Sequence, residues 1–271
     1  MNTKHLLCPV CRLPLAENNR RLVCEGGHSF DISKSGYCNL LRSAKKSTHG
    51  DNKEMIRARR DFLSLGYYAF LADAVASAVD TVFSEGATLL DAGCGEGYYT
   101  ESVLAKIKDK SPHAIGVDIS KDACEAAKKR LQSLTVITAS LYDLPIESAS
   151  VDTLLLLFSP LAKEEIARVL KKGGYFVTAF PEKRHLFGLK RVLYDTPYEN
   201  TPMPLALDGY KLLSEKLVET TAVIEGQNAI QSLFMMTPYY YRTRPEDKAR
   251  LSGLSSLETE ISFRLAVYQK I

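Results

Sequence analysis

The sequence predicts an α/β protein with a doubly wound parallel sheet, preceded by a small metal-binding unit. Apolar runs alternate with segments of helical periodicity, which is typical of strand–helix–strand units. The runs are continuously apolar, as at 154–158, so both faces of the sheet should be covered. Four Cys and His residues near the N-terminus have the spacing of a zinc site. A chain of 271 residues accommodates one full domain and such a unit.

The predicted metal ligands are Cys8, Cys11, Cys24 and His28, in the pattern C-x2-C-x12-C-x3-H. Three thiolates and one imidazole favour a closed tetrahedral Zn²⁺ site. A segment as short as 1–42 cannot build an adequate apolar core, and metal binding supplies on the order of 10–16 kcal/mol toward folding. Cys38 is an alternative ligand, but it lies outside the compact spacing, and we expect it to be buried packing.

Three regions follow from composition and turn signals: the zinc unit (1–42), a basic linker with helices (43–82) and the main domain (83–271). Asp51 and Glu54 resemble a capping box, which predicts a helix that ends at Leu65 before Gly66. A second helix should place an apolar face against the main domain. Its apolar residues are Phe70, Leu71, Ala74, Val75, Ala78 and Val79.

Within the main domain the patterns predict five strands and three helices, followed by a strand, a helix and a last strand. The final two strands should form an antiparallel hairpin that closes one edge of the sheet. The predicted strands are 87–91, 114–118, 135–139, 151–157, 174–180, 214–224 and 258–270. The predicted helices are 98–107, 120–132, 163–170 and 227–236.

A glycine-rich loop follows the first of these strands. Gly93, Gly95 and Gly97 are spaced G-x-G-x-G, unlike the G-x-G-x-x-G of dinucleotide sites, and no P-loop lysine follows. Glycines allow a ligand to approach the backbone, and the next helix offers free N–H groups. The spacing favours S-adenosylmethionine (SAM). Asp118, at the end of the next strand, should accept hydrogen bonds from ribose hydroxyls, and Asp91 should support the methionine ammonium.

Several residues near this loop have less specific interpretations. Ser140 stands where many methyltransferases carry an Asp for the adenine amine, so a backbone amide is expected there instead. Ser159-Pro160 only weakly resembles the motif of amino-group methyltransferases. Cys94 and Cys124 are expected to be packing residues, because methyl transfer from a sulfonium needs no cysteine nucleophile.

The basic charge is concentrated in the first 60 residues, which carry 12 Lys and Arg against 5 Asp and Glu. The remaining residues carry 23 against 27, so a polyanion should bind at the N-terminal end. Lys45, Lys46, Arg57, Arg59 and Arg60 are candidates for phosphate contacts; the alternative is that these arginines pair with acids of the main domain. No apolar run of 18 residues or secretory leader is found, so we expect a cytoplasmic protein without a membrane partner.

Motifs along the whole chain complete a more specific pattern. Besides the metal ligands and the glycine loop, they are Phe30-Asp31, 36–41, 57–63, 66–68, 94–100, 183–186 and 236–238. In this order they resemble the ribosomal large-subunit RNA guanine-N1 methyltransferases. The resemblance implies a Rossmann-like, seven-stranded class I methyltransferase sheet behind the zinc unit.

The resemblance also implies the reaction: methylation at N1 of a guanine in a domain II hairpin of 23S ribosomal RNA, near the macrolide site of the exit tunnel. It implies a homodimer, zinc on the four ligands above, and SAM contacts at Tyr68, Gly95, Glu96 and His185. Taken alone, Tyr68 and His185 would be core residues, and Tyr98 and Tyr99 packing under the loop.

Guanine N1 carries a proton at neutral pH, so a general base or a stabilised O6 enolate is expected, together with in-line placement of the methyl group. The sequence does not identify the base. Two alternatives remain at this stage: a non-catalytic, zinc-containing RNA-binding factor of ribosome assembly, and a methyltransferase for another RNA. A methyltransferase for small molecules would not explain the basic zinc unit.

Overall fold

The computed structural model describes residues 1–42 and 52–271. The predicted linker 43–50, with Lys45 and Lys46, lies outside the described residues, as does Asp51.

The N-terminal unit is a small antiparallel sheet with one strand leaving it. Its three strands pair in the order β1-β2-β3, and β4 instead pairs in parallel with a strand of the main sheet, through Cys38 and Asn39. The bounds are β1 (Ala16–Asn18), β2 (Arg21–Val23), β3 (Ser29–Asp31) and β4 (Cys38–Asn39).

Two helices connect this unit to the main sheet. Helix α1 (Lys53–Leu63) begins at Asn52, whose side chain accepts a hydrogen bond from the Met55 N–H at 2.9 Å. It ends two residues before the predicted Leu65. Helix α2 (Ala69–Val82) follows, and it buries Leu71, Val75 and Val79 as its periodicity predicts.

The first part of the main domain follows the predicted alternation. Every predicted strand and helix to residue 181 is present, with ends shifted by a few residues. In chain order they are β5 (Thr88–Ala92), α3 (Tyr98–Lys106), β6 (His113–Asp118), α4 (Lys121–Arg130), β7 (Thr135–Thr138), β8 (Val151–Leu157), α5 (Lys163–Val169) and β9 (Leu170–Pro181).

The C-terminal part contains the predicted antiparallel hairpin and three helices that the sequence patterns do not indicate. The two hairpin strands pair over their full lengths, and the second pairs antiparallel with β9. The elements are α6 (Phe187–Leu193), β10 (Tyr210–Glu225), α7 (Gln227–Met235), α8 (Tyr239–Arg242), α9 (Pro245–Ala249) and β11 (Ser256–Lys270).

The main sheet has the strand order β10-β11-β9-β8-β5-β6-β7-β4. It therefore contains the seven strands expected of a class I methyltransferase and an eighth, β4, which the N-terminal unit contributes at the edge. The chain reverses its winding direction at β5, which lies between β6 and β8. In open α/β sheets such a switch point is the preferred place for a ligand, beyond the carboxyl ends of the strands.

The two faces of the sheet are covered differently. One face packs against α1, α2 and the C-terminal helices. The other includes residues of the N-terminal unit: Leu6, Cys8 and Leu22 belong to the same buried cluster as Ile115 and Ile137 of the sheet. The interior of the zinc unit is thus continuous with the main core. Within residues 1–42 and 52–271, each helix is too short or too polar to span a bilayer.

Candidate active site and metal centre

A cavity of about 840 Å³ lies at the carboxyl ends of β5, β6, β7 and β8, at the switch point. Six of the eight predicted SAM-site residues line it, which brings together positions far apart in the chain. These six are Tyr68, Asp91, Gly93, Gly95, Glu96 and Asp118. Other lining residues were not assigned to the SAM site from the sequence, among them Tyr142, Met236, Thr237, Phe263 and the phosphate-contact candidate Arg59.

The glycine loop is bound tightly to its neighbours. The N–H groups of Gly93 and Cys94 both donate to the carbonyl of Val117, at 2.7 and 3.0 Å. Gly93 has φ +89°, and a Cβ built there would lie 2.0 Å from Ser159 Oγ, so only glycine fits. Gly97 caps α3 from the left-handed region and does not line the cavity. At Gly93 and Gly95 the loop therefore presents backbone to a ligand.

Asp118 lies at the end of β6 and lines the cavity. Its Oδ2 accepts a hydrogen bond from the Gly95 N–H at 2.9 Å, and its Oδ1 accepts one from the Ser120 N–H at 2.8 Å. A carboxylate oxygen has two lone pairs, so both oxygens retain capacity for further donors such as ribose hydroxyls. The geometry fits the predicted role of this residue.

Asp91 is buried at the end of β5, and the hydroxyl of Thr100 donates to its Oδ2 at 2.5 Å. Burial raises the pKa of Asp91 to about 7, the Thr100 hydrogen bond opposes this, and the nearby charge of Asp118 adds to it. A carboxyl that titrates near neutrality ionises readily when a cation approaches. The position fits an ammonium group placed at the methionine end of SAM.

Glu96 provides a second buried carboxyl in the cavity wall. Its Oε2 accepts from Arg130 at 3.0 Å, whereas Oε1 has no hydrogen-bond partner within the described part of the chain. Burial raises the pKa of Glu96, and Arg130 opposes the shift. A buried acceptor without a donor is costly, so a ligand donor in the cavity would stabilise this arrangement. The glycine loop and these three carboxyls thus fit SAM.

An aromatic wall lines another part of the cavity. The ring of Phe158 lies 5.8 Å from that of Tyr99 and 5.1 Å from that of Phe263, and Phe263 lies 5.6 Å from Tyr68. Burial raises the pKa of Tyr68 well above its ordinary value, so its hydroxyl remains protonated at neutral pH. This wall is suited to a flat apolar group.

His185 lies behind this wall and does not line the cavity. Its ring centroid is 4.2 Å from that of Phe263 and 6.4 Å from that of Tyr68, and its Nδ1 accepts from the Ser262 N–H at 3.3 Å. Burial lowers the pKa of His185 to about 3, so the ring is neutral. In this structure it supports the wall.

Cys94 and Cys124 are buried, as expected of packing residues. Burial raises the pKa of Cys94 well above its ordinary value and that of Cys124 to about 12. Both remain thiols at neutral pH and are poor nucleophiles.

The four predicted metal ligands converge on one point. The ligand atoms of Cys8, Cys11, Cys24 and His28 all lie within 4.8 Å of one another. Cys24 Sγ is 3.5 Å from both Cys11 Sγ and His28 Nδ1. Tetrahedral ligands around Zn²⁺ are separated by roughly 3.8 Å for Zn–S bonds of about 2.3 Å, so the cluster fits this ion. Cys38 is outside the group, and burial raises its pKa to about 12.

The metal unit contacts the loop that follows β7, immediately beyond the cavity wall. The Leu7 N–H donates to the carbonyl of Pro145 at 2.9 Å, and Leu6 forms a bridge with Ile146. Arg12 donates to the Leu144 carbonyl at 2.8 Å and pairs with the carboxylate of Asp143. Because residues 140–142 line the cavity, the metal unit contacts the segment that directly follows part of the cavity wall.

Comparison with known proteins agrees with both sites. Residues 6–49 match the family model "RlmA, N-terminal", a zinc ribbon, and residues 89–174 match a methyltransferase domain. A putative methyltransferase from Bacillus halodurans, of known structure, aligns with 72% of this chain and 98% of its own at 12% identity and a TM-score of 0.49.

Two curated relatives span nearly the whole chain. The 23S rRNA (guanine(748)-N(1))-methyltransferase of Streptomyces fradiae is 29% identical over 96% of this chain and 95% of its own. The putative 23S rRNA (guanine-N(1)-)-methyltransferase YxjB of Bacillus subtilis is 31% identical, over 90% of this chain and 89% of its own. The chain therefore belongs to the 23S rRNA (guanine-N1-)-methyltransferase family, as an enzyme whose cofactors are SAM and Zn²⁺.

Proposed function

We propose that this enzyme transfers a methyl group from SAM to N1 of a guanine in a domain II hairpin of 23S ribosomal RNA, in the cytoplasm. The observation that carries the proposal is one cavity that joins the glycine loop to an aromatic wall and is also lined by residues 140–142, which directly precede the segment that the metal unit contacts. One part suits the donor and the other a flat base. The Streptomyces fradiae relative is named for guanine 748, which makes that guanine the first to be examined.

The donor is held by residues at the switch point. Asp118 accepts hydrogen bonds from the ribose hydroxyls, and the backbone at Gly93 and Gly95 allows the methionine portion to approach closely. Asp91 and Glu96 supply buried acceptors for its ammonium group. SAM supplies an electrophilic methyl group on a sulfonium. Gly97 sets the start of α3, and His185 keeps the Tyr68 wall in place.

Transfer requires N1 of guanine in line with the methyl–sulfur bond. SAM bound at this site would supply the methyl group and leave as S-adenosylhomocysteine, and the N1 proton of guanine would have to pass to an acceptor. Two lining or nearby groups are poorly suited to take that proton as a base: Tyr68 keeps its own proton, and His185 lies behind the wall. We assign most of the rate enhancement to positioning against the aromatic wall of the cavity.

The RNA would be gripped by phosphate contacts of the zinc unit and α1. Arg57 and Arg60 project from α1 with largely exposed side chains, and each forms an ion pair with Asp61 of the same helix. Arg59 lines the cavity itself. The three arginines of α1 therefore place positive charge near the cavity. In the homodimer that the family resemblance implies, two zinc units would face one RNA.

Primer extension on 23S RNA tests the proposal, because N1-methylguanine blocks pairing and stops reverse transcriptase. The stop should vanish in a deletion strain and return with the wild-type gene. It should not return with Gly95→Val, whose side chain would enter the donor site; zinc content and melting temperature of that variant serve as its folding controls.

Three outcomes contradict the proposal. A stop that persists in the deletion strain removes this enzyme from that modification. Complementation of a ribosome-assembly defect by Gly95→Val as well as by wild type favours the non-catalytic RNA-binding factor. Methyl label from SAM that appears on a different RNA identifies another substrate.

A further inference from the structure

Phe158 has an unusual backbone conformation for its residue type. It directly follows β8, its φ is +58°, and its side chain is 50% exposed. A bulky non-glycine residue at positive φ is uncommon and costs free energy, and such conformations concentrate at functional sites. Exposure of an aromatic ring adds a second cost, because apolar surface remains in water.

The turn after β8 places the neighbouring side chains of Phe158 and Ser159 on different parts of the site. Ser159 Oγ occupies the space beside Gly93 that a Cβ would fill, so this residue is packed against the donor loop. The Phe158 ring instead lines the cavity, in contact with the rings of Tyr99 and Phe263. The strained backbone therefore fixes an exposed ring next to the loop that holds the methionine end of SAM.

The other aromatic residues of the wall are less accessible. Tyr68 and Phe263 are buried, and Tyr98 and Tyr99 are half-buried. Tyr142 lines the cavity and is 66% exposed, but it follows β7 beside Ser140, where the adenine end of SAM would lie. Phe158 is thus the exposed ring that lies next to the reacting end of the donor.

We propose that Phe158 is the platform on which the target guanine stacks after it turns out of the RNA hairpin. This inference rests on the proposed function. A base that undergoes chemistry must leave its stack, and aromatic side chains replace the lost stacking. Tyr99 and Phe263 pack against the Phe158 ring at interplanar angles of 58° and 53°, so its orientation is set before the base arrives.

The main test compares Phe158→Leu with Phe158→Tyr. Leucine keeps an apolar side chain at the same position but removes the aromatic face, whereas tyrosine keeps it. We expect Phe158→Leu to lower kcat/KM for a domain II hairpin RNA roughly 10-fold or more, and Phe158→Tyr to stay close to wild type. SAM affinity, measured by calorimetry, should be the same in all three proteins.

A binding cycle tests the stacking without relying on catalysis. The affinity of each protein is measured for the hairpin with its target guanine and for the same hairpin with an abasic site there. Wild type should lose affinity for the abasic RNA by roughly fivefold or more, whereas Phe158→Leu should bind both RNAs alike. We call the loss of affinity on removal of the guanine the coupling. The platform would be overturned if wild type and Phe158→Leu showed the same coupling, or if Tyr142→Leu rather than Phe158→Leu abolished it.

A glycine variant controls for folding, because Phe158→Gly removes the backbone strain and the ring together. It should melt no lower than Phe158→Leu and be as deficient in kcat/KM; activity near wild type would overturn the inference. The two proposals fail separately. If wild type shows the coupling but does not methylate the hairpin, only the proposed function is contradicted. If wild type methylates the hairpin without the coupling, only the platform is contradicted.

Discussion

The Gly95 N–H donates a hydrogen bond to the carboxylate of Asp118 at 2.9 Å, so the end of β6 directly holds the glycine loop that follows β5. The other carboxylate oxygen binds the Ser120 N–H at the start of α4. One side chain thereby fixes the loop and the next helix, and it faces the cavity as well. The role that we propose for Asp118 in SAM binding thus combines direct contact with ordering of the loop.

Asp118→Ala should weaken SAM binding by roughly 1–3 kcal/mol, because the ribose hydroxyls lose a charged acceptor and the Gly95 N–H loses its partner. Asp118→Asn keeps the shape and one acceptor oxygen, so its loss should be smaller. Isothermal calorimetry on the three proteins measures both effects. Unchanged affinity in Asp118→Ala would place the donor elsewhere.

The glycines of the loop should respond differently to alanine. Gly93→Ala should lower the free energy of unfolding by roughly 1–3 kcal/mol, because its Cβ would collide with Ser159. Gly95→Ala meets no atom within 4 Å and should cost only about 1 kcal/mol from its positive φ. Urea denaturation compares the two variants. Adding Ser159→Gly to Gly93→Ala should recover part of the lost free energy of unfolding, because the colliding side chain is removed. If Gly93→Ala costs the same in the Ser159→Gly background as in wild type, the collision is contradicted.

Asp91 should make stability fall as pH rises. Its pKa is about 7 in the folded protein against an ordinary 3.8, so the folded state holds a proton that the unfolded state releases. The free energy of unfolding therefore decreases between about pH 4 and pH 7. Asp91→Asn lacks this ionisation. As the pH rises through that window, its free energy of unfolding should therefore increase by roughly 1–4 kcal/mol relative to that of wild type. Denaturation at pH 4.5 and pH 8 measures the gain, and a constant difference between the proteins would contradict it.

The zinc content of cysteine variants should distinguish cysteines that bind the metal from cysteines that are only packed in the core. Cys24→Ala removes one of four converging ligands and should release zinc, with a loss of RNA binding. Cys38→Ala is the matched control: it changes a buried thiol outside the cluster and should keep one zinc per chain. Metal analysis of the purified proteins measures both. Full zinc content in Cys24→Ala would remove that residue from the site.

Local patterns predict much of this fold. The continuously apolar run that forms β8 (Val151–Leu157) and the glycine spacing after β5 depend on residues close in the chain, and the structure has both. The zinc ligands also follow from spacing, because thiolates and imidazole select the same metal in any fold. The strand β4 has only two residues, and its pairing with β7 spans about a hundred positions. Such a pairing leaves no periodic signal.

Parts of the site also depend on tertiary contacts that sequence does not reveal. The positive φ of Phe158 is unfavourable locally and exists because surrounding packing imposes it. His185 was expected at SAM, yet Phe263 and Tyr68 lie between it and the cavity in this structure; its direct contact with SAM stays a prediction. Glu54 was paired with Asp51 as a capping box, whereas the observed cap of α1 is Asn52.

The arginines of α1 should govern the salt dependence of RNA binding. Arg57 and Arg60 have side chains 76% and 53% exposed, and each forms an ion pair with Asp61 of the same helix. If both contact phosphates, the double variant Arg57→Ala/Arg60→Ala should lower the log–log salt slope by roughly 0.7 to 0.9 per contact, and leave SAM affinity unchanged. The exposed Lys106 and Lys108 lie at and just after the end of α3 that is remote from the cavity, so replacing them with Ala should preserve the slope. Fluorescence anisotropy with a hairpin RNA at several salt concentrations measures these slopes; an equal slope in the arginine variant and wild type would place the RNA backbone away from α1.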